Sequence, residues 1–187
     1  ERVSISWPAP KMVGPEGAQA LGYSGQVVIP IRFYRQQAGP VAVSLYLQFG
    51  VCSDICIPAS LDLQGTLEPA QSEGRSVIEA ALRAVPQIGE GGRLAAYGCA
   101  IRPASKGYDV ATRLELRQPD SEALVVIEYD NPGSWVEAAA QSADGATINA
   151  QGRIRFVGGG GMIERDRLRV TVLTSSGAFE MRGCPAG

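Results

Sequence analysis

Residues 41–58, VAVSLYLQFGVCSDICIP, contain the strongest strand signal of the chain and its one closely spaced cysteine pair. Apolar side chains alternate with polar or small ones from Val41 to Gln48, and this two-residue period predicts a half-buried β-strand. The cysteines, Cys52 and Cys56, follow the strand with three residues between them. A turn between them would bring them within disulfide distance.

Strand-like segments also dominate the rest of the chain. The further predicted strands are residues 26–34, 61–67, 93–101, 108–116, 123–129, 147–157, 162–173 and 178–184. Short strands separated by turn residues are typical of a β-sandwich, so we expect an all-β fold. We also expect one hairpin between 26–34 and 41–49, and another between 147–157 and 162–173 across the glycine run at 158–161.

One segment has the pattern of a helix. In residues 76–85, SVIEAALRAV, apolar side chains recur at helical spacing, and Ser76 with Glu79 fits a capping box. The polar segment 68–74, EPAQSEG, precedes it and is the predicted domain boundary. We therefore expect a first domain over residues 1–70 and a second β-rich domain, which includes the short helix, over residues 71–187.

Composition excludes several classes of function. The 187-residue chain has no histidine, which removes Ser–His and Cys–His catalysis and imidazole metal sites. Its formal net charge is −2 and it has no long run of like charge, so we expect no nucleic-acid partner. No apolar stretch is long enough to predict a membrane span. The glycine run lacks the Lys-Ser/Thr of a phosphate-binding loop, and we expect no cofactor and no metal.

The chain has four cysteines, Cys52, Cys56, Cys99 and Cys184. Two disulfides in an oxidising compartment account for the even number, whereas a four-cysteine zinc site usually shows two close pairs. If Cys52 pairs with Cys56, the other bond joins the start and end of the second domain. Loop entropy assigns that long-range bond about 4.5 kcal/mol and the short one only about 2 kcal/mol. The long bond is thus predicted to be structural, and a mild reductant should open the short one first.

The residues alone leave the role of the short disulfide open. Its spacing is equally consistent with a bond that only pins a turn, in a binding or assembly module with two structural disulfides. The motif does not precede a helix, so no helix N-terminus lowers a thiol pKa there. Asp54 lies between the two cysteines and, if ionised and close, would oppose thiolate formation.

A resemblance to a known family favours the redox interpretation. Trp7-Pro8, the segment 22–31 (GYSGQVVIPI) and the strand that runs into 50–58 (GVCSDICIP) occur in this order. Residues 3–67 thereby resemble the N-terminal periplasmic domain of the thiol:disulfide interchange protein DsbD and its relatives in copper-sensitivity operons. The resemblance implies an immunoglobulin-like sandwich and assigns Cys52 and Cys56 as the redox pair. Its implied partners are thioredoxin-like periplasmic oxidoreductases or a membrane electron donor.

The same resemblance suggests a cover for the disulfide. The family places its cap over the cysteines in the stretch that corresponds here to Met12, Val13, Gly14, Pro15 and Glu16, which we interpret as a loop. This stretch has no aromatic residue, although the family's cap uses one. A copper(I) site on the thiolates is a third hypothesis, which draws on the copper-linked relatives.

The start of the chain bears on localisation. It begins ERVSISWP, which is not a signal peptide, so we expect a processed periplasmic chain. Only six residues precede Trp7, whereas the family has strands upstream of it, so the first sandwich is expected to be incomplete at its N-terminus.

Residues 71–187 resemble the extra β-rich region of soluble DsbD-domain proteins. The resemblance implies that the chain could be a component of a protein-disulfide reductase or thiol–disulfide interchange system. It leaves open whether the chain itself is an enzyme.

Overall fold

The computed structural model of the chain describes residues 2–15, 17, 19–34, 38–53, 55–68, 73–89 and 92–185. It divides into two compact units, Glu1–Val85 and Pro86–Gly187. The described residues form β-strands, one α-helix and one short 3-10 helix. The predicted fold class, a β-sandwich chain with one short helix, is confirmed.

The first unit is built from antiparallel strand pairs. Its strands are β1 (Arg2–Ile5), β2 (Lys11–Val13), β3 (Ala20–Gly22), β4 (Ile31–Tyr34), β5 (Val41–Cys52) and β6 (Cys56–Leu67). β1 pairs with β4, β2 with β3, and β5 with β6. The expected hairpin between 26–34 and 41–49 is therefore wrong. The physical reason is that β5 finds a complete partner in β6 across a three-residue turn, and β4 pairs with β1 instead.

The β5–β6 hairpin has a continuous register from Val41↔Leu67 to Cys52↔Cys56. Its half-buried positions alternate with exposed ones from Val41 to Leu47, as the two-residue period predicts. Pro8, Pro30 and Ala81 are the buried residues among the described part of this unit. Backbone pairing therefore holds the hairpin in place more than a dense core does.

The helix α1 spans Arg75–Arg83. The expected capping box at Ser76 and Glu79 is wrong, because the N-cap residue is Gly74, with a left-handed φ of 75° and no side-chain cap hydrogen bond. Ala84 at the end of the helix accepts a hydrogen bond from the amide of Ala9 at 2.8 Å. Because of such contacts, α1 falls in the first compact unit, whereas the sequence analysis placed it in the second domain.

The second unit is a two-sheet sandwich. Its strands are β7 (Gln87–Ile88), β8 (Leu94–Ala104), β9 (Gly107–Leu116), β10 (Leu124–Tyr129), β11 (Ser134–Asp144), β12 (Thr147–Phe156), β13 (Leu168–Thr174) and β14 (Gly177–Arg182). One sheet has the order β10-β13-β14-β7 and the other β11-β12-β9-β8. The expected hairpin across the glycine run is wrong, since β12 and β13 belong to different sheets. Residues 157–167 instead cross between the sheets, with Gly158 and Gly159 at positive φ.

The core of the second unit lies between these two sheets. One sheet contributes buried side chains that include Leu94, Val110, Leu114, Ile148 and Ile154, and the other contributes Leu168, Val170, Val172 and Phe179. Most of these side chains alternate along their strands with outward-facing neighbours, as in sandwich packing. This unit therefore has the dense apolar interior that stabilises a β-sandwich.

Truncation of a core side chain tests this packing. Ile148→Ala should lower the free energy of unfolding by about 2–5 kcal/mol, because Ile148 is fully buried and the change leaves a cavity. The matched control is Ile88→Ala, at a position that is 68% exposed, and it should cost less than about 1 kcal/mol. Urea unfolding followed by circular dichroism measures both. Equal losses for the two variants would contradict the placement of the core.

Candidate redox site

The β5–β6 hairpin places Cys52 and Cys56 at its closed end. They are the last pair in the register of the two strands, so their side chains project from the same face of the hairpin. The turn between them is closed by a hydrogen bond from the Ser53 amide to the Ile55 carbonyl at 3.1 Å. The turn that the sequence required for a short disulfide is thus present.

The structure joins the four cysteines in two disulfides. Cys52 is bonded to Cys56 with a Cα–Cα distance of 4.0 Å, and both residues are exposed. Cys99 is bonded to Cys184 with a Cα–Cα distance of 5.3 Å; Cys99 is half-buried and Cys184 is buried. No group of metal-ligating side chains suited to an ion occurs among the described residues. Of the two bonds, only Cys52–Cys56 has both of its residues open to solvent.

The closed end of the hairpin carries exposed apolar side chains. Phe49, Val51, Ile55 and Ile57 are all exposed there, and Ile55 is the most exposed at 72%. Phe49, Val51 and Ile57 lie on the face of the hairpin opposite to the disulfide, because they are an odd number of residues from Cys52 or Cys56. The charged residue of the turn, Asp54, lies outside the described residues, so the expected opposition of its carboxylate to a thiolate stays a prediction. The hairpin therefore combines a disulfide on one face with four exposed apolar side chains at its closed end (Phe49, Val51, Ile55 and Ile57), which we call the apolar collar.

Gly50 leaves one face of the disulfide uncovered. It lies two residues before Cys52, on the same face of β5, and a Cβ atom there would be 3.9 Å from Cys52 Sγ and 4.0 Å from Cys56 Cβ. A larger side chain would therefore extend beside the sulfur atoms. The sequence analysis did not identify this role, although the two-residue period of the strand already placed Gly50 and Cys52 on one face.

The predicted cap is only partly a loop. Met12 and Val13 belong to strand β2, Gly14 and Pro15 form a bend, and Glu16 lies outside the described residues. The expectation of a loop is wrong for Met12 and Val13 because both pair with β3, opposite Leu21 and Ala20. Within the described part of the chain, no hydrogen bond joins this segment to either cysteine. Its covering role stays a prediction.

The second disulfide connects the two sheets of the sandwich. Cys99 lies in β8 of one sheet, and Cys184 follows β14 of the other. The Tyr97 hydroxyl donates a hydrogen bond to the Gly183 carbonyl at 3.2 Å beside the same bond. This position fits the long-range structural bond that the loop-entropy argument predicts, although its role stays a prediction.

Comparison with known proteins covers both parts of the chain. Residues 1–68 match the family described as the N-terminal domain of the thiol:disulfide interchange protein DsbD. The whole chain matches the crystal structure of the N-terminal periplasmic domain of ScsB from Proteus mirabilis, with a TM-score of 0.71 and 19% sequence identity, over 74% of that chain. No curated protein matches. The resemblance stated from the sequence is confirmed, and the structural likeness confirms the fold.

Filling the position of Gly50 tests whether that face must stay open. Gly50→Val should slow thiol exchange at Cys52–Cys56 by about threefold or more, because exchange rates depend on access to the sulfur atoms. Gly65→Val, in the partner strand and with no atom near its added Cβ, is the matched control and should leave the rate unchanged. The rate is measured with a small thiol reductant. Equal rates for the two variants and the wild type would show that Gly50 does not keep the disulfide accessible.

Proposed function

We propose that this chain is a periplasmic thiol–disulfide exchange module whose redox pair is Cys52 and Cys56. The observation that carries the proposal is the exposed disulfide at the end of the β5–β6 hairpin, within the residues that match the DsbD N-terminal family. Reducing equivalents pass through this pair to or from thioredoxin-like proteins or a membrane electron donor. The chain acts as an enzyme if Cys52 and Cys56 complete repeated cycles of reduction and oxidation with these partners.

The exchange needs only the sulfur atoms of the two proteins. A partner thiolate attacks one sulfur of the Cys52–Cys56 bond, a mixed disulfide forms, and the other cysteine leaves as a thiolate. A second thiol of the partner then resolves the mixed disulfide, whereas attack by the released cysteine thiolate would restore the starting bond. When the partner's thiol resolves it, an electron pair passes to the hairpin: the partner's two thiols are oxidised to a disulfide, and Cys52 and Cys56 are reduced.

The hairpin is suited to repeated opening of this bond. Reduction frees only the end of a register that continues through eleven further pairs to Val41↔Leu67. The loop that the bond closes is short, so its loss costs about 2 kcal/mol in the loop-entropy model. The ladder between the strands supports the fold in both redox states.

The apolar collar supports docking of a partner protein at the closed end of the hairpin. Its four exposed apolar side chains offer a small apolar area to bury next to the face that carries the disulfide. An exchange partner must dissociate after each reaction, so we expect a transient interface below about 1,200 Å² in total. The collar provides contact, and Gly50 provides access.

Localisation follows from the same features. Disulfides persist in oxidising compartments. The matching family is described as the N-terminal part of a thiol:disulfide interchange protein, and the structural neighbour is described as a periplasmic domain. These features support an exchange reaction in the periplasm. No helix among the described residues is long and apolar enough to cross a membrane.

A binding module with two structural disulfides is the alternative function. The observation that favours it is the number of exposed apolar side chains in the first unit, which extend from the collar to Tyr46, Leu61 and Leu63 along the hairpin. In that function the short disulfide pins the turn and undergoes no chemistry. The two functions differ in whether the bond exchanges with a partner thiol.

Single-cysteine variants test the proposed function. Cys52→Ser or Cys56→Ser should trap a mixed disulfide with a thioredoxin-like protein of the oxidising compartment, because the remaining thiol has no resolving neighbour. The double variant Cys52→Ser/Cys56→Ser is the control and should trap nothing through this hairpin. Non-reducing electrophoresis with mass spectrometry detects the adduct. If neither single variant traps a partner, and the wild type keeps the bond in strong reductant, the binding module replaces the exchange module.

A further inference from the structure

Arg165 is fixed beside one sulfur of the second disulfide. It begins the short 3-10 helix Arg165–Arg167, and its Nη1 lies 3.5 Å from Cys184 Sγ. The same nitrogen donates to the carbonyls of Cys184 at 2.9 Å and Pro185 at 3.2 Å. In return, the Cys184 amide donates to the Arg165 carbonyl at 3.0 Å. These contacts hold a guanidinium against Cys184, whereas no guanidinium of the described residues donates a hydrogen bond to the Cys99 sulfur.

The positive charge of Arg165 is available to a thiolate. None of the ion pairs formed by carboxylates in the described ranges includes Arg165. The nearby hydroxyl of Tyr97 adds no negative charge, since burial raises the pKa of Tyr97 to about 12 and keeps it neutral. A cation that donates a hydrogen bond to sulfur stabilises the thiolate over the thiol.

The two sulfur atoms also differ in access. Cys184 is 3% exposed, and its side chain belongs to the core of the sandwich. Cys99 is half-buried in β8, an edge strand of its sheet, and packs against the margin of the core beside Tyr97 and Ile101. A thiol from solution therefore reaches Cys99 more readily than Cys184.

We propose that Cys99–Cys184 is a second, polarised exchange site for small thiols of the glutathione class. The small thiolate attacks Cys99 Sγ and forms a mixed disulfide there. The bond between Cys99 and Cys184 breaks, and Cys184 leaves as a thiolate beside the Arg165 guanidinium. The two electrons of the broken bond stay on Cys184 sulfur, so charge and atoms balance without a further reactant.

The reaction is reversible within the folded sandwich. After the bond opens, Cys184 stays next to β14, whose pairing with β13 extends over six residue pairs. Its thiolate can then attack the mixed disulfide at Cys99, release the small thiol and restore the original bond. This site is distinct from Cys52–Cys56, and the proposal does not depend on the function assigned to that pair.

The position of the adduct tests the direction of attack in the wild-type chain. Glutathione is added to the folded protein, and free thiols are then blocked by rapid alkylation. Trypsin cleavage after Arg93, Lys106 and Arg182 places Cys99 and Cys184 on separate peptides. We expect glutathione on Cys99 to exceed that on Cys184 about tenfold, and the preference to disappear in denaturant. An adduct mainly on Cys184, or none on either cysteine, would overturn the proposal.

Variants of the 3-10 helix test the role of the guanidinium. Without the guanidinium the pKa of the Cys184 thiol rises, and Cys184 becomes a poorer leaving group. Arg165→Gln should therefore slow the glutathione reaction, by about threefold for each unit of that rise when the leaving thiol is as sensitive to its pKa as an attacking thiol. Arg165→Lys should restore part of the rate because it keeps the charge. Arg167→Gln is the matched control, since Arg167 contacts Glu164 and the Asp130 carbonyl and should leave the rate unchanged. Equal rates for Arg165→Gln and wild type, with both shown folded by circular dichroism, would remove the assigned role of Arg165.

Discussion

The register of the β5–β6 hairpin is the constraint on which the candidate site depends. Because Val41 lies opposite Leu67, each later pair is determined in turn, and the last pair is Cys52 with Cys56. A shift by one residue would move each side chain of β5 to the other face and separate the two sulfur atoms. The same register places Gly50 on the face of the disulfide and Phe49, Val51 and Ile57 of the apolar collar on the opposite face. Pairing geometry thus determines the bond, its access and its surroundings together.

The two disulfides of the chain occupy opposite physical settings. The short bond closes a turn between adjacent strands, contributes little loop entropy and has both residues exposed. The long bond connects two sheets over a sequence separation of 85 and has one buried cysteine. Opening the first disturbs one end of a hairpin, whereas opening the second removes a link across a dense core. The first is therefore suited to exchange with a protein, and the second to a slower reaction with a small thiol.

Local patterns predicted much of this structure, and long-range choices explain the rest. Two-residue alternation identified β5 and most strands of the second unit, and cysteine spacing identified the short bond. Two-residue alternation did not identify β11 (SWVEAAAQSAD), because the central alanines of this strand show no alternation of apolar and polar side chains. Pairing partners were wrong twice, because β4 pairs with the distant β1 while β5 pairs with β6, and because β12 and β13 belong to different sheets. Gly50 could have been found from strand parity, but Arg165 could not, because its contact with Cys184 depends on the crossover at 157–167.

The central claim is that Cys52–Cys56 exchanges thiols, and its reduction potential tests this most directly. The potential is measured by equilibration of the chain with glutathione or dithiothreitol buffers, followed by alkylation and mass spectrometry of the peptide that contains both cysteines. We expect a value above about −300 mV, within the range of roughly −270 to −120 mV covered by thioredoxin-like exchange proteins. A value below about −300 mV, typical of structural disulfides in secreted proteins, would contradict the claim.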